Sequence, residues 1–141
     1  MISARLLEIV DALPLRAGMR VIEIGCGPGV AAREVAARVG PEGHVLAIDR
    51  SAKAIAQLVA SSEDLIASGR LTARHMAVED LELEGDEPPY DLAFAVRVGA
   101  FDGRHPRAGA AGLERLARAL VPGGRLLIDG GDPLREIALP S

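Results

Sequence analysis

Three glycines, Gly25, Gly27 and Gly29, follow the short apolar run Val21-Ile22-Glu23-Ile24, and helix-prone sequence resumes at once from Val30 to Arg38. A strand that stops in glycines and restarts as a helix lets the backbone approach a ligand closely. It also aims the free N–H groups and the positive end of the new helix at that ligand. The chemistry such a segment suits is the holding of a nucleotide-like molecule. Two carboxylates flank it: Glu23 inside the first run, and Asp49 at the end of the next apolar run, Val45-Leu46-Ala47-Ile48.

The elements that must position these residues alternate. An apolar face of Ile2, Leu6, Ile9, Val10 and Leu13 predicts a helix over 2–13, stopped by Pro14. Strands are expected at 21–24, 44–49, 71–76, 91–98 and 125–129. Helices are expected at 30–39, from a Ser51 cap to Gly69, and at 110–120. The slot between the third and fourth strands holds only the acidic, turn-rich stretch 79–89, including the turn Glu87-Pro88-Pro89-Tyr90, and is expected to be exposed. Residues 99–109 read as a loop. Alternation with near-continuous apolar strands predicts a single α/β domain over 1–141. Its sheet is doubly wound and mainly parallel, with helices on both faces and ligands at the carboxyl ends of the strands.

Composition narrows the function classes. Aromatic residues are 2% of the 141, too few for a base-stacking platform or an aromatic cage, and the net charge of −4 gives no footprint for nucleic acid. A single cysteine excludes an internal disulfide framework and fits a reducing compartment. No apolar run reaches membrane-span length, and the first residues lack the basic-then-apolar pattern of a signal peptide. The expectation is a cytoplasmic protein with no membrane or nucleic-acid partner and no metal.

Dinucleotides and S-adenosylmethionine both use a strand–glycine–helix arrangement. The dinucleotide fingerprint wants a third small residue where this chain has Val30. Glu23 is unsuited to facing a pyrophosphate, whereas a carboxylate there suits a ligand with a cationic end. Together with the lack of a second domain, this disfavours a nicotinamide-dependent oxidoreductase. Ala17 to Gly29, Val45 to Asp49, Tyr90 to Ala95 and Leu120 to Leu126 occur in the order found in the class I S-adenosylmethionine-dependent methyltransferases, and the chain resembles that family over almost its whole length.

The resemblance implies a Rossmann-like sheet of order 3-2-1-4-5 and S-adenosylmethionine as cofactor. It places Glu23, Gly25, Cys26, Gly27, Gly29, Asp49, Arg50, Val78, Glu79 and Arg97 at that cofactor. Asp49 has two oxygens for the hydroxyls of a ribose, or it serves the turn before Ser51. Glu23 accepts from the ligand's amino group, or it braces the loop. Cys26 reads as a small packing residue rather than a nucleophile. The family's usual acid after strand three is replaced by Ala77, and Glu79 either substitutes for it or is a solvated loop charge.

The loop after strand four offers His105 and Asp102 as weak candidates for a general base, or it is only a solvated turn. Arg97, Arg104 and Arg107 could attract an anionic substrate. His44 lies far from the site, and His75 reads as a packed edge residue. The family's strands six and seven are expected to be missing, since only residues 130–141 remain after strand five. That would leave strand five as an open edge, and such edges are usually covered. A homodimer through this edge is therefore expected. The expected activity is methyl transfer to a small-molecule acceptor, with a non-catalytic cofactor- or partner-binding module of the same fold as the alternative.

Overall fold

The computed structural model describes residues 2–101 and 103–141. Its centre is a six-stranded sheet of order β3-β2-β1-β4-β5-β6. Strands β1 (Arg20–Ile24), β2 (His44–Asp49), β3 (Leu71–His75), β4 (Tyr90–Ala95) and β5 (Leu120–Asp129) are parallel. They run through the middle of the domain and are apolar on both faces, as a covered parallel sheet requires.

Period-two alternation divides the core. Val21, Val45, Ala47, Leu92 and Phe94 pack with Val10 of α1 (Ala4–Ala12), with Ala32, Val35 and Ala36 of α2 (Val30–Val39), and with Leu58 of α3 (Ala52–Ser61). Ile22, Ile24, Leu46, Ile48, Ala93 and Leu126 form the other layer with Val78, Leu81 and Leu116, the last from α5 (Pro106–Ala119). Glu23 is in phase with Val21, so its carboxylate is driven into the apolar layer under α2 and is only 3% exposed.

Most elements fall where their patterns predict, and the departures have local causes. The first helix is Ala4–Ala12, capped by Ser3, whose hydroxyl accepts the Leu6 amide at 3.1 Å. The expected single helix from Ser51 to Gly69 breaks at buried Ser62, giving α3 and a short α4 (Glu63–Ala67). The expected loop 99–109 instead contains a 3-10 turn (Gly99–Phe101) and the start of α5, with Pro106 in its first turn. There α5 lies close to its neighbours: a Cβ on Gly109 would fall 2.4 Å from the Ala100 carbonyl, and one on Gly112 would fall 2.9 Å from Val78.

The stretch 79–89 is mostly exposed, as its composition predicts, but it is anchored at Leu81 and at Tyr90 beyond it. A 3-10 turn (Val78–Asp80) opens it, and side chains strap it down. Arg20 donates to the Pro88 and Pro89 carbonyls, and its backbone N–H donates to Asp91 at 2.9 Å. Arg74 pairs with Glu84 and Glu87.

The expectation that strand five ends the sheet is corrected. Residues Leu134–Ile137 form β6, antiparallel to β5, with Leu126 opposite Ile137 and Asp129 opposite Leu134. Four residues suffice because an antiparallel return needs only a tight turn and no crossover helix. The open edge on which the homodimer expectation rested is therefore covered within the chain. Among the described residues no helix is long and apolar enough to cross a membrane.

Candidate functional site

The glycine loop joins β1 to α2, and all three glycines take positive φ: +68° at Gly25, +55° at Gly27 and +92° at Gly29. They are required for different reasons. A Cβ at Gly25 would lie 2.7 Å from Val98, and one at Gly29 would lie 2.7 Å from Leu58, whereas nothing stands within 4 Å of the Gly27 position. Gly25 and Gly29 are thus demanded by packing as well as conformation, and Gly27 by conformation alone. The Gly25 and Cys26 amides donate to the Ile48 carbonyl at 2.8 and 3.0 Å, which fastens the loop to β2. Arg33 fastens its far side, donating to the Pro28 carbonyl at 3.0 Å and to Ser61 Oγ at 2.7 Å.

Asp49 closes β2 with both oxygens engaged. Oδ2 accepts the Gly27 amide and Oδ1 the Ser51 amide, each at 2.8 Å. The bracing of the turn is real, and it also aims the carboxylate along the loop. Each oxygen retains a further acceptor position, so a pair of hydroxyls can still bind there.

Glu23 has no such satisfaction. Its Oε1 is buried with no hydrogen-bond partner among the described residues. Burial first, and then the charge of Asp49, push its pKa up to about 8, against the opposing pull of the Ala32 amide. A carboxylate enclosed this way holds its proton until a cation or donor reaches it. Burial and the same two carboxylates push the Cys26 thiol up to about 12, so it stays a thiol and packs.

Three adjoining cavities form a trough over the carboxyl ends of the strands, where the sheet order reverses between β1 and β4. The first, about 110 Å³, brings together Gly25, Asp49, Arg50, Val78 and Glu79, all expected at the site. The second, about 330 Å³, holds Glu23, Gly25, Cys26 and Arg97 under the first turn of α1. The third, about 310 Å³, lies over the ends of β4 and β5 and the start of β6. Gly27 and Gly29 shape the loop without lining any of the three. His105 stands in the wall of the first cavity, with Asp49, and does not line the third. Asp102 lies outside the described residues.

Ala77, which stands where the family's usual acid is expected, lines the first cavity as β3 ends, together with Met76, whose amide is held by the Asp49 carbonyl at 3.0 Å. Sequence reasoning missed Asp129. It lines the second and third cavities, and the signal for it was available: it closes β5 as Asp49 closes β2. Its Oδ1 accepts the Arg97 amide at 3.0 Å, and Arg97 sits in the left-handed region with φ +58°, the only such non-glycine among the described residues. That conformation costs about 1–2 kcal/mol for an L side chain, and such strain collects at functional sites.

Residues 21–124 match the model of the methyltransferase domain. The chain is similar to a trans-aconitate 2-methyltransferase of Methylobacterium nodulans, with 35% identity covering 92% of this chain and 45% of that one. It is also similar to a protein-L-isoaspartate O-methyltransferase of Methanothrix thermoacetophila, with 34% identity covering 90% of this chain and 54% of that one. The chain therefore spans about half the length of these relatives. Among solved structures, the S-adenosylmethionine-dependent methyltransferase of Geobacter sulfurreducens in complex with S-adenosyl-L-homocysteine superimposes with a TM-score of 0.67 at 26% identity, over 91% of this chain and 48% of that one.

Proposed function

The chain belongs to the methyltransferase domain family, in its class I, Rossmann-like form, and on that premise we propose that it binds S-adenosylmethionine and directs its methyl group to a small-molecule acceptor. The observation that carries this reading is the pair of carboxylates on either side of one glycine loop. Asp49 is held open to a hydroxyl pair, and Glu23 is buried with one oxygen unpartnered. The cofactor has complementary groups, a ribose diol and an ammonium, and the open space at Gly27 leaves room for it beside Asp49. Bound there, it supplies an electrophilic methyl group on a sulfonium.

The residues of this chain then have distinct tasks. Asp49 orients the ribose. Glu23 neutralises the ammonium. Arg50, Ala77, Val78 and Glu79 wall the adenosine end, and Val98 separates that end from the acceptor side. His105 belongs to the adenosine wall and is assigned no proton transfer. In-line displacement at a methyl carbon depends mainly on alignment and water exclusion.

Isothermal titration with S-adenosylmethionine and S-adenosylhomocysteine tests the reading. Binding in the micromolar range, about −8 kcal/mol, that weakens in Asp49→Ala is the expected result. A folded protein that binds neither compound overturns it.

A further inference from the structure

Charges of both signs line the trough: Asp49, Glu79 and Arg50 in the first cavity, Glu23, Asp129, Arg5 and Arg97 in the second, and Arg97, Arg135 and Asp129 in the third, where arginines outnumber carboxylates. Arg97 is shared by the second and third cavities, and Arg135, at the start of β6, lines the third. The rest of that third cavity is Ala95, Val98, Phe101, Ile128, Gly130 and Asp129.

Several arginines outside the third cavity are committed, while among the described residues Arg16, Arg50, Arg107 and Arg118 have no guanidinium partner. Arg20, Arg33, Arg70, Arg74 and Arg125 all donate from their guanidinium groups to carbonyls, hydroxyls or carboxylates of this chain. Arg97 and Arg135 do not: among the described residues neither guanidinium has a hydrogen bond or an ion pair. Arg97 is besides held in a left-handed conformation by the Asp129 carboxylate, which grips its amide and so fixes where its side chain starts. A strained residue whose charged end is left unused, beside a second unused guanidinium and an apolar floor, describes a receptor for an organic anion.

We infer that the third cavity is the acceptor subsite, and that Arg97 and Arg135 recognise there a small molecule bearing a carboxylate. This rests on the methyltransferase reading, because it is the neighbouring cofactor that makes the occupant an acceptor. Carboxylate is favoured over phosphate by Asp129: one fixed negative charge in the wall opposes a dianion more than a monoanionic group. The apolar residues match the carbon body of such a molecule. The sequence-based trio is thereby revised. Arg97 remains, Arg104 and Arg107 line none of the three cavities, and Arg135 takes their place.

The test is calorimetry on the full chain, with and without S-adenosylhomocysteine. The probes are butyrate and benzoate, with methyl benzoate as the uncharged control and phenyl phosphate as the competing anion. Butyrate or benzoate is expected to bind, and methyl benzoate is not. Arg135→Ala should weaken carboxylate binding by roughly tenfold or more, as for a lost charge-assisted hydrogen bond, while Arg135→Lys retains part of it. The affinity for S-adenosylhomocysteine should be the same in both variants as in the wild type.

Absence of carboxylate binding, indifference to Arg135→Ala, or a preference for phenyl phosphate overturns the inference. Loss of S-adenosylhomocysteine affinity in Arg97→Ala, with carboxylate binding intact, moves Arg97 to the cofactor and overturns its assigned role. A protein that binds carboxylate through Arg135 but no S-adenosylhomocysteine keeps the carboxylate site and overturns the cofactor reading, and with it the acceptor role.

Discussion

The Asp49 carboxylate receives the Gly27 amide at 2.8 Å, so the acid that ends β2 and the glycine loop that ends β1 form one unit. Removing the acid therefore has two effects. Asp49→Ala should lower the affinity for S-adenosylmethionine by about 1–3 kcal/mol and also destabilise the loop. Asp49→Asn keeps one acceptor oxygen and should fall between. Titration calorimetry and thermal unfolding on both variants separate binding from stability. Full cofactor affinity in the alanine variant contradicts the role.

The three glycines should not respond alike. Gly29→Ala puts a methyl group 2.7 Å from fully buried Leu58 at a φ of +92°, and a loss of about 2–3 kcal/mol is expected. Gly27→Ala meets open space, so only the backbone cost of about 1–2 kcal/mol remains. Denaturant midpoints for the two variants check the order.

Glu23 gives a pH dependence of defined sign. Its folded pKa of about 8 lies above the ordinary carboxyl value, so between those two points the folded protein binds more protons than the unfolded one. Stability attributable to Glu23 is full below this window, falls as pH rises through it, and levels off above about 8. Glu23→Gln should flatten the curve and make the ligand-free domain more stable than the wild type at alkaline pH. Cofactor affinity of the wild type should instead rise with pH across the same window, because an ammonium ligand favours the ionised form. Parallel stability curves for the two proteins contradict the assignment.

Glu87 behaves in the opposite way. Burial works to raise its pKa, but the Tyr90 hydroxyl, the Glu84 amide and Arg74 outweigh it and hold the carboxyl below its ordinary range. The stability it contributes is present above the ordinary carboxyl pKa and is lost as pH falls through the lowered one. Glu87→Ala strips a partner from Arg74, whose side chain is only 13% exposed, and should cost about 3 kcal/mol at neutral pH. Urea unfolding at neutral and acidic pH measures both effects.

Arg97→Gly should relieve the left-handed strain, giving a gain of up to about 1 kcal/mol in stability. The same substitution removes a guanidinium from the third cavity, so stability and carboxylate binding should move in opposite directions.

Much of the glycine-loop end of the fold was legible because its signals are local. Apolar runs ending in Glu23-Ile24-Gly25 and in Ile48-Asp49-Arg50 mark both the strands and the residues at their ends. The third cavity depends on contacts remote in sequence. That Asp129 would grip the Arg97 amide, 32 positions away, has no periodic signature. Nor does the convergence of Arg97 and Arg135 on one cavity. β6 was missed because four residues with two charges, Leu134-Arg135-Glu136-Ile137, carry too little apolar pattern to register as a strand. Gly109 was read as the end of a loop, yet it is the lack of a side chain at Gly109 and Gly112 that lets α5 lie against Ala100 and Val78.

The strapped crossover between β3 and β4 has a practical corollary. Its anchors, Arg20 on Pro88 and Pro89 and Glu87 on Tyr90, gather at the amino end of β4, whereas the trough lies over the carboxyl ends. At its tip, Gly85 and Asp86 are exposed. A fluorescent reporter or affinity tag spliced between those two residues would ride on the side of the molecule facing away from the ligands, and the crossover is thus a natural attachment point for turning the domain into a sensor.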